Sequence, residues 1–480
     1  MNQLSMMAPV AARLNLDANH AASPRLSALM SEDVASLLGP ANALLMELVD
    51  GLGSPLHIVL PDAMLHCINQ IEAVFKSANV RGQTHFALKA NKADSFLHVA
   101  ASAEIGADVA STEEFVAAIA AGICPNKLVV TGPQKSRALL TLALRHGAVI
   151  TIDSVEELRT VQELTPNQSS HSKRLLIRHR PVSEKNSRFG MDDVEVFQAM
   201  ERLRHDHTCK LLGFSVHLSG YSIEARALAG RALIQFCDCA AQMGMAASVI
   251  NLGGGWPMSY CNPNDWQQFL GTETREFCHA EKQFLEFYPY ASNLSAATAV
   301  EACLRHRLNG RLSLADELST RDLTLFIEPG RSLLDQAGIS LFRVQGVRQV
   351  SHNTGIITVE GQSFSLSEQW FGSEFCPDPI LIQRCPKTGP AFSASIGGAS
   401  CLDGDMLAWR RIQFPCRPEP DDIIAFVNTA GYQMDSNESP FHRRNLPRKV
   451  AVWSSDDRSN WCLDSEYKNC PATHGLEPLI

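Results

Sequence analysis

The spacing of apolar and polar positions changes twice along this chain. Up to about residue 50 it is rich in Ala, Leu and Ser with weak periodicity. There Ser31-Glu32-Asp33, ahead of Val34-Ala35-Ser36-Leu37-Leu38, predicts a helix start. From residue 85 short, β-rich apolar runs alternate with longer stretches of helical spacing. Eight runs read as strands: 85–90, 107–110, 127–132, 147–153, 174–179, 213–219, 248–252 and 323–328. Segments such as Ser95 to Glu104, Thr112 to Ala121 and Ser136 to His146 read as helices between them. Eight strands in β-then-α order predict an α/β fold, a (β/α)8 barrel. In such a barrel chemistry gathers at the C-terminal ends of the strands. Each run here does end in polar or turn residues: Lys89-Ala90-Asn91, Asp108 with Ser111, Thr131-Gly132, Asp153-Ser154, Arg178-His179-Arg180, His217 with Ser219, Gly253-Gly254-Gly255, and Glu328-Pro329-Gly330-Arg331. Any one of these is an ordinary strand-to-turn junction; only their joint occurrence favours the barrel.

After Ser332 the helical alternation stops. Ile339 to Val344, Gly355 to Val359, Ile380 to Ile382, Asp422 to Val427 and Lys449 to Trp453 read as strands of a C-terminal β-rich domain. The chain thus divides into an N-terminal segment 1–55 packing with the β-domain, a barrel 56–335, and a β-rich domain 336–480. Between Gly255 and Leu323 there is more chain than one crossover needs. With Trp266, Phe269, Phe277 and Phe284, the region 258–321 predicts an inserted helical element.

A length of 480 residues suits two domains. A content of 45% hydrophobic and 19% charged residues suits a soluble globular chain. The net charge of -9, without a basic run, argues against a nucleic-acid partner. The 14 cysteines form no CxxC pair, which argues against a zinc or disulfide framework and suits a reducing cytosol. Residues 1–30 lack a basic start followed by an apolar run, and no apolar stretch reaches membrane-spanning length. The expectation is a cytoplasmic protein with no metal and no membrane partner.

Four local signals carry candidate chemistry. Lys89 closes an apolar strand, where desolvation would lower its pKa and free its amine as a nucleophile; a lysine reaching solvent is the plainer reading. Gly253, Gly254 and Gly255 leave backbone N–H groups clear to surround a phosphate, or form a tight turn. Glu328 ends a buried strand and needs a partner, either a heteroaromatic N–H⁺ or Arg331, whose fork geometry also suits a phosphate. Cys401 lies among small residues in the polar loop Gly397 to Asp405. It is a candidate acid–base group or a packed small side chain.

Taken together and in this order, these residues resemble the fold type III pyridoxal-phosphate (PLP) decarboxylases built on the alanine racemase barrel, such as the ornithine, diaminopimelate and arginine decarboxylases. The resemblance runs from about Pro55 to Val450. It implies that Lys89, in Phe86-Ala87-Leu88-Lys89-Ala90-Asn91, holds the cofactor as a Schiff base. It aligns Gly106-Ala107-Asp108-Val109-Ala110-Ser111, Glu114, Arg178 and Ser187-Arg188-Phe189-Gly190 with family landmarks. It also implies that His217 stacks on the pyridine ring and Gly253 to Gly255 cradle the phosphate. Glu328 would meet the pyridine nitrogen, Arg331 and Tyr432 the phosphate. Cys401 would come from the partner subunit of a homodimer with shared active sites and protonate the substrate's Cα.

The pattern also departs from the family. The residue after the cysteine is usually Asp or Glu, which grips a distal amine; here it is Leu402, with Asp403 one residue on and pointing elsewhere. Diamine-forming substrates are therefore disfavoured. The usual cofactor serine after the histidine is replaced by Ser219 or Ser222. Arg443 or Arg444 is a candidate for a distal carboxylate, against the reading of Phe441-His442-Arg443-Arg444 as a solvated basic cluster. The expected activity is decarboxylation of an uncommon amino acid. The rivals are a racemase on the same fold, opposed by Glu328, and a non-catalytic homologue that binds a partner protein.

Overall fold

Strands buried on both faces show water no polar side, and closing the sheet hides their edges. The structure, a computed structural model, describes residues 22–39, 42–164, 172–272, 274–307, 310, 312–366, 372–455 and 458–470. After a first strand, β1 (Leu56–Val59), eight parallel strands close into a barrel. They are β2 (Arg81–Ala87), β3 (Gly106–Val109), β4 (Leu128–Val130), β5 (Val149–Ile152), β6 (Lys173–Arg178), β7 (Cys209–Ser215), β8 (Val249–Asn251) and β9 (Thr324–Ile327). Each of the eight runs read from the sequence overlaps one of these strands. The barrel closes where β9 pairs with β2, Thr84 opposite Ile327. Val129, Val149, Leu176, Leu212, Val249 and Phe326 fill its interior.

The helices that follow the strands start at side-chain caps. Ser111, Ser136, Ser154, Asp192 and Ser222 each accept a backbone N–H of the first helical turn. Each such cap contributes about 1 kcal/mol and fixes where the strand-end loop stops. The chain register at the barrel mouth is thereby set from the helix side as well as from the sheet.

The second domain is a sheet of β10 (Gly338–Ser351), β11 (Thr354–Val359), β12 (Ile380–Ile382), β13 (Phe392–Gly397), β14 (Met406–Phe414), β15 (Ile423–Val427), β16 (Arg448–Ser455) and β17 (Arg458–Leu463), with β1 inserted between β10 and β16. Assigning residues from 56 onward to the barrel is therefore corrected for β1. Leu56 to Val59 are buried, antiparallel to β10 on one side and parallel to β16 on the other. A four-residue apolar strand is stable only with both edges paired, and the barrel offers it no edge. Val34, Leu37, Leu45, Leu48 and Val49, from helices Glu32–Leu38 and Asn42–Leu52, pack against Ile58, Ile339, Leu341 and Val450 of this sheet. Residues 1–21 of the N-terminal segment lie outside the described residues.

The region 258–321 is less of a helical insert than its length suggested. Helices Ala296–Arg305 and Leu314–Thr320 belong to the barrel's own crossover, the first packing on helices Pro61–Ser77 and Ile223–Gln242. The added chain is the stretch before them, where helix Pro263–Leu270 is followed by largely irregular backbone. Of its aromatic residues only Trp266 and Phe269 lie on an α-helix. Tyr260, Trp266, Phe269, Phe287, Tyr288 and Tyr290 form an edge-to-face cluster, joined to Phe375. Such pairs contribute about 0.5–1.5 kcal/mol each beyond their burial. The cluster shares one core with Phe342, Ile396 and Phe426 of the β-domain. Among the described residues no helix is long and apolar enough to cross a membrane.

Next to this core, the Arg410 guanidinium is buried between Glu374, at 2.9 Å, and Asp378, at 2.7 Å. Removing one partner of a buried ionic cluster typically costs about 3–5 kcal/mol, because the other charges stay buried unpaired. Arg410→Leu is expected to lower the thermal midpoint of the β-domain by several degrees. An unchanged midpoint in a calorimetric scan would contradict the assignment of Arg410 as the clamp of this core.

Candidate active site

The site begins at the seam where the barrel closes, since β9, β2 and β3 are neighbours and each ends in an ionisable residue. Lys89 lies just past β2, in a helical turn Leu88–Ala90. Its Nζ is 3.4 Å from Oδ2 of Asp108, on β3. Asp108 is buried, and its other oxygen accepts the Thr131 hydroxyl at 2.5 Å. The expectation that burial lowers the lysine pKa is corrected. The Asp108 carboxylate beside Lys89 raises it, outweighing desolvation, with Tyr432 and Glu328 acting in the same sense. In the cofactor-free chain the amine is held as an ammonium.

Glu328 follows β9 and is buried. The amide of Asn251, at the end of β8, donates to Oε1 at 2.6 Å, while the Asn251 oxygen accepts the Gly253 N–H at 2.9 Å. Burial first and the Asp108 charge second push the Glu328 carboxyl up to about 7, opposed by the Asn251 hydrogen bond, Lys89 and Arg178. Asn251 was not singled out from the sequence. The available signal was a carboxamide inside an apolar run, which needs buried partners.

The glycine run is demanded by close approach. A Cβ on Gly254 would lie 2.8 Å from the Glu328 carbonyl oxygen and 3.1 Å from His217 Cε1. Gly253 and Gly255 have φ of 63° and 73°, the left-handed region that glycine enters without strain. The Gly254 N–H donates to His217 Nδ1 at 3.3 Å, and the Trp256 indole N–H to the Gly253 carbonyl at 3.0 Å. Arg331 faces the run. Its guanidinium lies 3.8 Å from the ring centre of Tyr288 and 4.7 Å from that of Tyr432, and donates to the Tyr260 hydroxyl at 3.1 Å. Tyr288 and Tyr260 come from the added aromatic stretch and escaped the sequence reading, which had no reason to bring it to the barrel mouth.

Two cavities, of about 620 Å³ and about 500 Å³, share Lys89, His217, Ser219 and Glu328 as walls. The larger also touches Gly254, Gly255, Tyr288, Arg331, Ser332 and Tyr432. The smaller touches Thr131, Arg178, Arg188 and Phe189. Burial and the nearby Lys89, Arg178 and Arg226 charges hold the His217 imidazole down to about 3, so it is neutral. Arg178 pairs with Asp153 at 3.2 Å and stacks on Phe189. Of the two candidate serines, Ser219 borders both cavities, but its N–H and hydroxyl both donate to Glu184. Ser222 caps the next helix.

The remaining candidates stand apart. Cys401 is exposed on the loop after β13 and borders neither cavity of its own chain. Leu402 and Asp403 are exposed on the same loop. Arg443 and Arg444 lie on a facing loop, where the Arg444 guanidinium donates to the Ala399 carbonyl at 3.0 Å. Among the described residues no cluster of His, Cys, Asp or Glu is arranged to hold a metal ion.

The comparisons with known proteins agree with this architecture. The diaminopimelate decarboxylase of Helicobacter pylori, solved with L-lysine, superposes with a TM-score of 0.69 over 87% of this chain and 95% of its own, at 20% identity. The arginine decarboxylase of Paramecium bursaria Chlorella virus, solved with agmatine, gives 0.65 over 86% and 100%, at 18%. The fold is that of the barrel decarboxylases. Residues 65–335 match the family model "Pyridoxal-dependent decarboxylase, pyridoxal binding domain". The uncharacterized protein y4yA of Sinorhizobium fredii is 35% identical over 89% of this chain and 94% of its own. The diaminopimelate decarboxylase of Bacillus subtilis is 24% identical over 87% and 90%. The chain belongs to the pyridoxal-dependent decarboxylase family, whose cofactor is pyridoxal 5′-phosphate.

The residues present fit that cofactor. Glu328 is a buried carboxyl with one neutral donor, so a cationic ring N–H would complete it. The buried Ser332 hydroxyl, beside Arg331 on the wall of the larger cavity, has no hydrogen-bond partner among the described residues.

The raised Glu328 pKa has a stability consequence in the cofactor-free protein. The neutral carboxyl suits the folded state, so stability is full below the ordinary carboxyl value and falls as pH rises toward about 7. Glu328→Gln removes this loss. The difference in melting temperature, Glu328→Gln minus wild type, should grow between about pH 5 and pH 8. A difference independent of pH would contradict the buried, unpaired carboxyl.

Proposed function

We propose that this chain is a PLP-dependent decarboxylase of an amino acid whose distal group is not an ammonium. The observation that carries the reading is Lys89 and Glu328 walling the same two cavities from adjacent barrel strands, with the glycine cradle and Arg331 at one end. Lys89 would hold the cofactor covalently through its amine. Gly253 to Gly255, Arg331 and Tyr432 hold the phosphate. His217, neutral and on the wall of both cavities, would hold the ring without competing for its charge, with Arg178 and Asp108 as further residues of the site. Glu328 keeps a proton on the ring nitrogen. The bound cofactor supplies an electron sink for the pair left at Cα when CO₂ departs.

The final proton comes, in this reading, from the partner subunit's Cys401, because Cys401 stands clear of its own barrel's cavities. A homodimer with shared sites follows. Leu402 of that loop, with Arg443 or Arg444, then faces the distal part of the substrate. An aliphatic side chain leaves a substrate ammonium unpaired, at a cost of about 2–5 kcal/mol when buried. A distal carboxylate or a conjugated, uncharged group fits Leu402 and the arginines better. Glu328 speaks against a racemase, since the alanine racemases of this barrel type place an arginine against the pyridine nitrogen. The joint presence of Lys89, Glu328, Arg331 and Cys401 speaks against a binding-only homologue.

The test is release of CO₂ from a panel of amino acids by the purified holoenzyme. The expected result is turnover of a substrate with an anionic or uncharged distal group, with ornithine and diaminopimelate poor. Leu402→Asp should improve the diamine-forming substrates relative to the native one by about tenfold or more, the ratio that 1.4 kcal/mol represents. Racemisation without CO₂ release, or efficient diamine formation by the wild type, would overturn the reading.

A further inference from the structure

Cys401 is not alone on its loop. Its Sγ lies 3.4 Å from Nε2 of His442, on the facing loop. We propose that His442 is a positioning residue that sets the protonation state of the Cys401 thiol and returns a proton to it. The proposal rests on Cys401 serving the active site of the neighbouring subunit.

Both loops are braced so as to keep the contact. On the thiol side, Asp405 accepts from the N–H groups of Ser363, at 2.7 Å, and Ser400, at 3.1 Å, while the Ala399 N–H donates to the Gly361 carbonyl at 2.8 Å. On the imidazole side, Gln362 is buried and its amide donates to the Phe441 carbonyl at 2.9 Å. The Phe441 ring packs edge-on against Phe364 and against the His442 ring itself. Arg444 crosses between the loops to the Ala399 carbonyl. His442 and Arg443 have φ of 58° and 57°, a left-handed pair that costs free energy at residues other than glycine and persists only where neighbours enforce it. Strained backbone, a buried amide and a stacked ring all serve to hold one imidazole over one thiol.

The charged groups around the pair are Asp403 and Asp405 on the thiol loop and Arg443 and Arg444 on the imidazole loop. Asp405 is bonded to backbone N–H groups and Arg444 to a carbonyl, which leaves His442 as the proton-exchanging group in contact with sulfur. An imidazole at this distance passes a proton to sulfur and, while protonated, stabilises the thiolate as an ion pair. In turnover the S–H bond breaks as a C–H bond forms at Cα, and the S–H electron pair stays on sulfur. His442, having taken a proton from water at Nε2, gives that proton to the thiolate. One solvent proton thus replaces the carboxyl group that left as CO₂.

The test measures alkylation of Cys401 by iodoacetamide in the full-length holoenzyme across pH, read by peptide mass with Cys401→Ser as the blank. His442→Asn is the informative variant, because asparagine accepts the left-handed backbone but is not a base. The wild-type thiol is expected to be alkylated faster than the variant's at mildly acidic pH, because the facing imidazolium stabilises the thiolate. At about pH 6.5 the variant should react about tenfold more slowly or less. His442→Gly, which also tolerates this φ, should regain the wild-type rate in added imidazole. Coincident wild-type and variant profiles, with the cofactor's visible band intact in both, would overturn the pairing. A shifted profile in a protein that decarboxylates no amino acid would leave the pair standing and sink the activity reading instead.

Discussion

Everything in this molecule that bears on chemistry is organised around one buried electrostatic problem at the barrel seam. Glu328, Lys89 and Asp108 follow one another across β9, β2 and β3, two buried carboxyls flanking one amine that reaches the cavities. Asp108 and Lys89 satisfy each other, and Glu328 is left with Asn251 and a raised pKa. Two acids cannot both ionise cheaply beside one base. A ligand carrying a cationic N–H relieves that conflict, and the family to which the chain belongs uses such a cofactor.

The second domain secures the seam from outside. Directly after Lys89, the backbone carbonyl of Ala90 accepts the Tyr432 N–H at 2.8 Å, and the Asn91 amide donates to the Ala430 carbonyl at 2.8 Å. The Lys92 N–H donates to Asp435 at 2.6 Å, and Asp435 also accepts from Lys449, on β16, at 2.5 Å. The turn that carries the amine is therefore fastened to the segment that carries Tyr432. On the other side of the glycine run, the aromatic stretch brings Tyr288 and Tyr260 onto Arg331 and is itself anchored in the β-domain core. Barrel and sheet thus build the larger cavity together.

The barrel strands were legible because each is a short apolar run ending in a polar residue, and hydrophobic spacing reports that directly. Three strands of the β-domain were not. In β13, Ser393 and Ser395 separate small or few apolar residues, and β17 is a polar strand at the sheet's end, so alternation was faint. The placement of β1 depends on which distant strands pair with it, which local pattern does not encode. The candidate residues at strand ends were legible individually, but their electrostatics were not. The direction of the Lys89 shift turns on a single distance to Asp108, and the bonding of Ser219 on a loop that swings Glu184 toward it. The contact between Cys401 and His442 joins residues about forty positions apart through two irregular loops, beyond the reach of any periodic signal.

The central claim is that the amine at position 89 is the one that carries the cofactor. Borohydride treatment of the PLP-loaded protein, followed by peptide mass mapping, tests it most directly. The account predicts loss of the visible absorbance and a phosphopyridoxyl mass on the peptide containing Lys89, with both effects absent in Lys89→Ala. A reduced adduct on another lysine, or a Lys89→Ala protein that traps the cofactor as wild type does, would contradict it.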